Sequence, residues 1–220
     1  MAPAAGAPAH EPRAGGMARW LVSPLAKPLL FLAALSPLAG LVWGAVADTL
    51  GANPAEALIR STGDWTLRFL CLTLAITPLR QATGWHSLLR LRRMLGLFTF
   101  FYGVLHFLCF AWLDMGFDVT AIVRDISKRP FILVGSAALL TMLPLAATSF
   151  NRAIRALGAR RWQALHRAVY ATALLALLHF FWMRSGKNDF AEVAVYAAVL
   201  GALLGWRLWR WRSRRLVSPT

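Results

Sequence analysis

Residues 89–113 read LRLRRMLGLFTFFYGVLHFLCFAWL, and residues 160–182 read RRWQALHRAVYATALLALLHFFW. Each stretch opens on arginines and then runs apolar for about the 20 residues that a helix needs to cross about 30 Å of hydrocarbon. Each also carries a histidine deep inside, His106 in the first and His179 in the second. Apolar spans of this length predict membrane helices, and an ionisable side chain within one points to function, because burying it there is costly.

The rest of the chain agrees with a membrane protein. Of 220 residues, 58% are hydrophobic and 15% charged, against about 45–50% apolar and about 25% charged in soluble domains. Mean hydropathy is +0.55. This balance excludes a soluble enzyme and a disordered protein. Ten Trp and 13 Phe suit aromatic belts at a bilayer surface. Six spans are expected, at 28–47, 65–80, 94–113, 130–148, 163–183 and 190–208. Residues 1–26 read as a disordered cytoplasmic tail, 27–210 as a six-helix transmembrane domain and 211–220 as a basic cytoplasmic tail. Pro37, Pro78 and Pro144 fall in or near spans, where neighbouring helices can satisfy the freed backbone.

A net charge of +15 in a soluble protein would suggest nucleic acid. Here the basic residues are distributed by topology instead, and no nucleic-acid partner is expected. Sixteen of the 24 fall in 13–27, 80–93, 152–161 and 207–215, whereas six fall in the intervening segments. Every acidic residue except Glu11 lies on or beside the side with fewer basic groups. The positive-inside rule then predicts an N-in, C-in bundle. The end WRLWRWRSRRL reads as Trp and Arg anchoring the last helix at the inner surface. Cys71 and Cys109 stand apart in apolar stretches and form no CxxC pair, so no disulfide framework or zinc site is expected.

His106, His166, His179 and Arg68 are the ionisable residues set within or beside the spans; His10 and His86 lie outside them. No intramembrane Asp, Glu or Lys accompanies the histidines, which disfavours a proton relay. No HExxH is present, which disfavours a zinc hydrolase. Facing imidazoles on different helices are how a bundle holds haem iron. Depth selects the pair. His106 lies about 12 Å from the outer end of the third span and His179 about 8 Å from that of the fifth, whereas His166 lies about 8 Å from the inner end. One bis-histidine haem near the outer face, on His106 and His179, is the reading that follows.

His166 has two readings, as a ligand of a second, inner haem or as an interfacial residue binding a phosphate or propionate. The matching positions on the third span hold Arg92 and Arg93, so a second haem would need another ligand there. Gly103, one turn before His106, either lets a porphyrin approach the backbone or packs helices closely. Gly96 lies on nearly the same stripe. Arg68 either neutralises a haem propionate or snorkels to the interface.

The segments STGDWTLRFLCLTLAITPLR, RRMLGLFTFFYGVLHF, DISKRPFILVG and NRAIRALGARRWQALHRAVYATALLALLHFFW resemble the MsrQ family, which is of the ferric-reductase-like transmembrane type. The resemblance runs from about residue 25 to residue 210. It implies a membrane subunit of the bacterial inner membrane. Such a subunit takes electrons from the quinone pool, with a flavin (FMN) also implied. It passes them through b-type haem to a periplasmic molybdopterin reductase of the MsrP type, which repairs methionine sulfoxide in oxidised proteins. The family's haem histidines carry over onto His106, His166 and His179. Consistent with this, no GxGxxG stretch or P-loop occurs, and no soluble dehydrogenase domain follows the last span. Electrons are therefore expected from a lipid-soluble carrier or another protein. Arg92, Arg93, Arg160 and Arg161 are the cations available to a flavin phosphate on the inner side, although topology alone also calls for them. Two alternatives share part of this pattern: a stand-alone membrane ferric reductase, and a haem-free transporter or assembly scaffold with packing histidines.

Overall fold

The computed structural model describes residues 16–186 and 188–216, and helices account for nearly all of them, with no strand among the described residues. The long helices are α2 (Ala26–Val46), α3 (Pro54–Thr83), α4 (Leu89–Cys109), α6 (Pro130–Ala147), α8 (Ala168–Ser185) and α9 (Ala191–Leu216). Three shorter ones, α1 (Gly16–Val22), α5 (Val119–Lys128) and α7 (Asn151–His166), lie between or before them. Five segments are long and apolar enough to cross a membrane: Ala26–Val46, His86–Asp114, Pro130–Ala147, Asn151–Ser185 and Ala191–Ser213. The expected span at 65–80 lies inside α3, which does not meet that measure. Arg68 interrupts its apolar run and Arg80 closes it.

Local chemistry explains most boundaries. Asn53 caps α3 by accepting the Glu56 N–H, and Pro54 occupies the first turn, where no N–H is needed. Gly84 ends the helix in the left-handed conformation at φ 74°. Asp118 caps α5 by accepting from the Thr120 and Ala121 N–H groups. The last turn of α4 continues as a π-helical turn over Phe110–Asp114.

One expectation is corrected, and two segments are defined more closely. The segment expected as a disordered tail is helical over Gly16–Val22, because Leu21 is buried in the core and Arg90 donates to the Val22 carbonyl; residues 1–15 lie outside the described residues. The basic tail at 211–220 continues α9 as far as Leu216. The span expected at 163–183 lies within the apolar segment Asn151–Ser185 and carries one turn residue, Arg167, whose backbone stays helical at φ −67° and ψ −18°; His166 ends α7 and His179 belongs to α8.

The most extensive pairings are α3 with α4 and α6 with α8. One core cluster joins α1, α2, α3 and α4 around an aromatic stack of Phe69, Phe98 and Tyr102. The other joins α3, α8 and α9 around Leu70, Leu74, Ala173 and Leu200. Many large side chains on α2, α6, α8 and α9 remain outward-facing, among them Trp43, Leu140, Leu174 and Val195. Such a coat of exposed apolar groups suits lipid as the surrounding solvent.

Candidate functional site

A cavity opens between α3, α4, α6 and α8, at the end where α3 and α6 begin and α4 and α8 finish. His106 and His179 both line it. Their rings come together with centroids 6.1 Å apart and planes at 75°. Metal–imidazole nitrogen bonds run to about 2 Å, and a ring centroid lies about 1 Å behind its nitrogen. Two imidazoles sharing one metal along an axis thus have centroids about 6 Å apart, the spacing found here.

The proton positions on the rings follow from their partners. A carbonyl oxygen can only accept, so His106 Nδ1 donates to the Ile59 carbonyl at 2.8 Å, and His179 Nδ1 donates to the Phe131 carbonyl at 2.6 Å. Each bond places the ring proton on Nδ1 and leaves Nε2 with a lone pair, the form that ligates a metal. The surrounding wall is apolar and aromatic, with Phe107, Phe131, Leu139, Met142 and Phe180. Gly103 also lines the cavity, and a Cβ there would meet Met142 Cε at 3.0 Å.

Charge gathers at the rim. Arg60, Arg129 and Arg184 line it, together with Asp64 and Asp114. Each arginine is held from outside the cavity. Glu56 lies 2.6 Å from Arg60, and Asp125 lies 3.0 Å from Arg129. Arg184 bonds Asp189 at 3.0 Å and also Glu192, and it is buried over the Phe180 ring.

Two expected site residues lie elsewhere. Arg68 does not line the cavity; it is exposed, and its guanidinium carbon sits 4.7 Å from the Trp65 ring centroid. His166 lies at the opposite end of the bundle. It stacks on Trp162 with centroids 3.9 Å apart, its Nδ1 donates to the Trp162 carbonyl at 3.1 Å, and its Nε2 is buried without a partner. No group of three or more His, Cys, Asp or Glu side chains able to hold a metal ion occurs among the described residues; the imidazoles at the cavity are those of His106 and His179.

Several residues at the site escape a reading of the sequence. Arg60, Arg129 and Arg184 look like ordinary flank charges. Gly63 and Gly135 look like packing glycines, yet a Cβ on Gly63 would stand 3.1 Å from the His106 ring and one on Gly135 would stand 2.6 Å from His179 Nδ1.

Comparison with known proteins now adds to this geometry. The ferric reductase like transmembrane component family matches residues 62–177, from α3 to most of α8. A protein of Polaromonas naphthalenivorans, named protein-methionine-sulfoxide reductase heme-binding subunit MsrQ, is 62% identical over 92% of this chain and 94% of its own length. The chain belongs to the MsrQ family. Further MsrQ proteins carry the same name. That of Ralstonia nicotianae is 57% identical over 84% of this chain and 86% of its own length. That of Xanthomonas oryzae pv. oryzae is 47% identical over 87% of this chain and 89% of its own length. No solved structure matches the chain. MsrQ membership and the apolar helices make this a multi-pass membrane protein. The four helices that line the cavity of this MsrQ chain fall largely within the matched segment.

Proposed function

We propose that this chain is a haem-binding electron-transfer subunit of a methionine-sulfoxide reductase system, with His106 and His179 as the axial ligands of one b-type haem. The observation that carries the reading is the imidazole pair itself. Two rings from α4 and α8 stand at the spacing of an axial pair, each with Nδ1 engaged by a carbonyl and Nε2 free. The MsrQ relatives are named as heme-binding subunits, which supports the same group.

When bound, haem iron supplies a one-electron carrier that cycles between ferric and ferrous. The protein supplies its surroundings. His106 and His179 present neutral lone pairs. The Ile59 and Phe131 carbonyls orient the rings and strengthen them as donors. Phe107, Phe131, Leu139 and Phe180 would give the group an apolar surround. Arg60, Arg129 and Arg184 face the rim, where two propionates would need cations, and they take the role that the sequence suggested for Arg68. Gly103 leaves room on the α4 wall.

The placement in the membrane is part of the proposal. The bundle has six spans, including the apolar part of α3, and runs N-in, C-in across the bacterial inner membrane. The cavity then lies near the periplasmic face. Electrons enter from the quinone pool, with FMN as an intermediate carrier on the inner side, and leave to a molybdopterin partner of the MsrP type. The chemistry at the two ends balances. A quinol releases two electrons and two protons, and a sulfoxide takes up two of each to give methionine and water. His166, near the inner end, stands on the side where electrons enter, either as a ligand of a second haem or as a polar contact there.

The test is haem content. His106→Ala and His179→Ala, each purified from haem-supplied cells, lose the low-spin haem. Wild-type haem content in both variants would overturn the assignment.

A further inference from the structure

We infer that Gly63 and Gly135 are positioning residues for the two imidazoles, and that each acts by uncovering the main-chain carbonyl four residues before it. The inference rests on the reading of His106 and His179 as axial ligands. In an α-helix the carbonyl of residue i accepts the N–H of residue i+4. A helical side chain leans back over the turn that precedes it, so the side chain at i+4 covers carbonyl i from outside. Glycine at i+4 leaves that carbonyl open. Its oxygen keeps a second lone pair for another donor.

Both ligands use this opening. On α3, Ile59 and Gly63 stand four residues apart, and the His106 ring enters from α4 to reach the Ile59 oxygen. On α6, Phe131 and Gly135 stand four residues apart, and the His179 ring enters from α8 to reach the Phe131 oxygen. A Cβ at 63 would lie 3.1 Å from both Cε1 and Nδ1 of His106. A Cβ at 135 would lie 2.6, 2.8 and 3.1 Å from Nδ1, Cε1 and Cγ of His179. The second collision involves the base of the ring, in one of the two most extensive helix pairings, and the ring cannot relieve it by turning its tip. Gly103 differs: a Cβ there would meet the flexible end of Met142. Gly96 differs further, with its nearest neighbour at 3.7 Å.

The consequence is specific to ligation. The Nδ1–H···O bond sets the ring plane and makes Nε2 a stronger donor. Displacing the ring weakens the bond to the carbonyl without removing the ligand.

The experiment compares haem-loaded wild type, Gly135→Ala, Gly63→Ala and Gly96→Ala in detergent. Haem transfer to apomyoglobin, midpoint potential and the low-spin ferric electron paramagnetic resonance signal are the readouts, and circular dichroism reports folding. Gly135→Ala loses haem about tenfold faster, as expected for removal of a ligand's outer partner, with a raised potential and shifted g-values. Gly63→Ala moves in the same direction by less, and Gly96→Ala matches wild type. Wild-type transfer rate, potential and signal in both Gly135→Ala and Gly63→Ala would overturn the inference. Should Gly135→Ala not fold, the milder Gly63→Ala decides alone by the same three readouts. A wild type without low-spin haem, or one whose haem survives both histidine substitutions, defeats the ligand assignment first, and the inference with it.

Discussion

His106 donates from Nδ1 to the Ile59 carbonyl at 2.8 Å, across the interface of α4 with α3. That bond commits the other ring nitrogen to the cavity. The imidazole cannot be replaced there by a side chain of similar size that lacks the nitrogen. His106→Phe and His179→Phe are therefore expected to fold and to purify without the low-spin haem. His166→Ala, altered at the other end of the bundle, keeps it. Absorption spectra of the three variants check this.

Arg68 and Arg184 separate surface from site. Arg68 is exposed beside Trp65, so Arg68→Ala leaves haem content at the wild-type level. Arg184 is 8% exposed and joins the end of α8 to Asp189 and to Glu192 at the start of α9. Arg184→Ala is expected to cost about 1–3 kcal/mol, between the values for exposed and for buried pairs, and to weaken haem retention. Thermal melts and haem-to-protein ratios measure the two effects.

Tyr102 stitches a proline-interrupted helix. Its hydroxyl donates to the Ala34 carbonyl at 2.8 Å and accepts from the Leu38 N–H at 3.2 Å, beside Pro37 in α2. The ring is fully buried in the aromatic stack. Tyr102→Phe keeps the stack and leaves both backbone groups without that partner, at a cost of about 1–3 kcal/mol. A lower melting temperature with unchanged haem content is the expected result.

Much of this was legible in the sequence because apolar length and charge asymmetry act on whole segments. The ends of α2 and α6 fall within two residues of the expected spans, and depth alone paired His106 with His179. What sequence could not supply depends on which helices become neighbours. Gly63 and Gly135 acquire a role only once α4 lies against α3 and α8 against α6. Arg60, Arg129 and Arg184 converge from three places in the chain. Arg68 shared a plausible depth with the haem but faces away from the cavity. The turn at Arg167 joins a polar, arginine-rich helix to an apolar one with its own backbone still helical. The 114–129 loop hid α5, whose Asp118 cap is visible in hindsight.

The most direct test of the account is the absorption spectrum of the detergent-purified full chain, air-oxidised and then dithionite-reduced, with the haem-to-protein ratio. A Soret band that shifts on reduction, sharp low-spin bands and at least one haem per chain, all lost in His179→Ala, is the predicted result. A colourless protein from haem-supplied cells, or a low-spin spectrum that His179→Ala leaves intact, would contradict it.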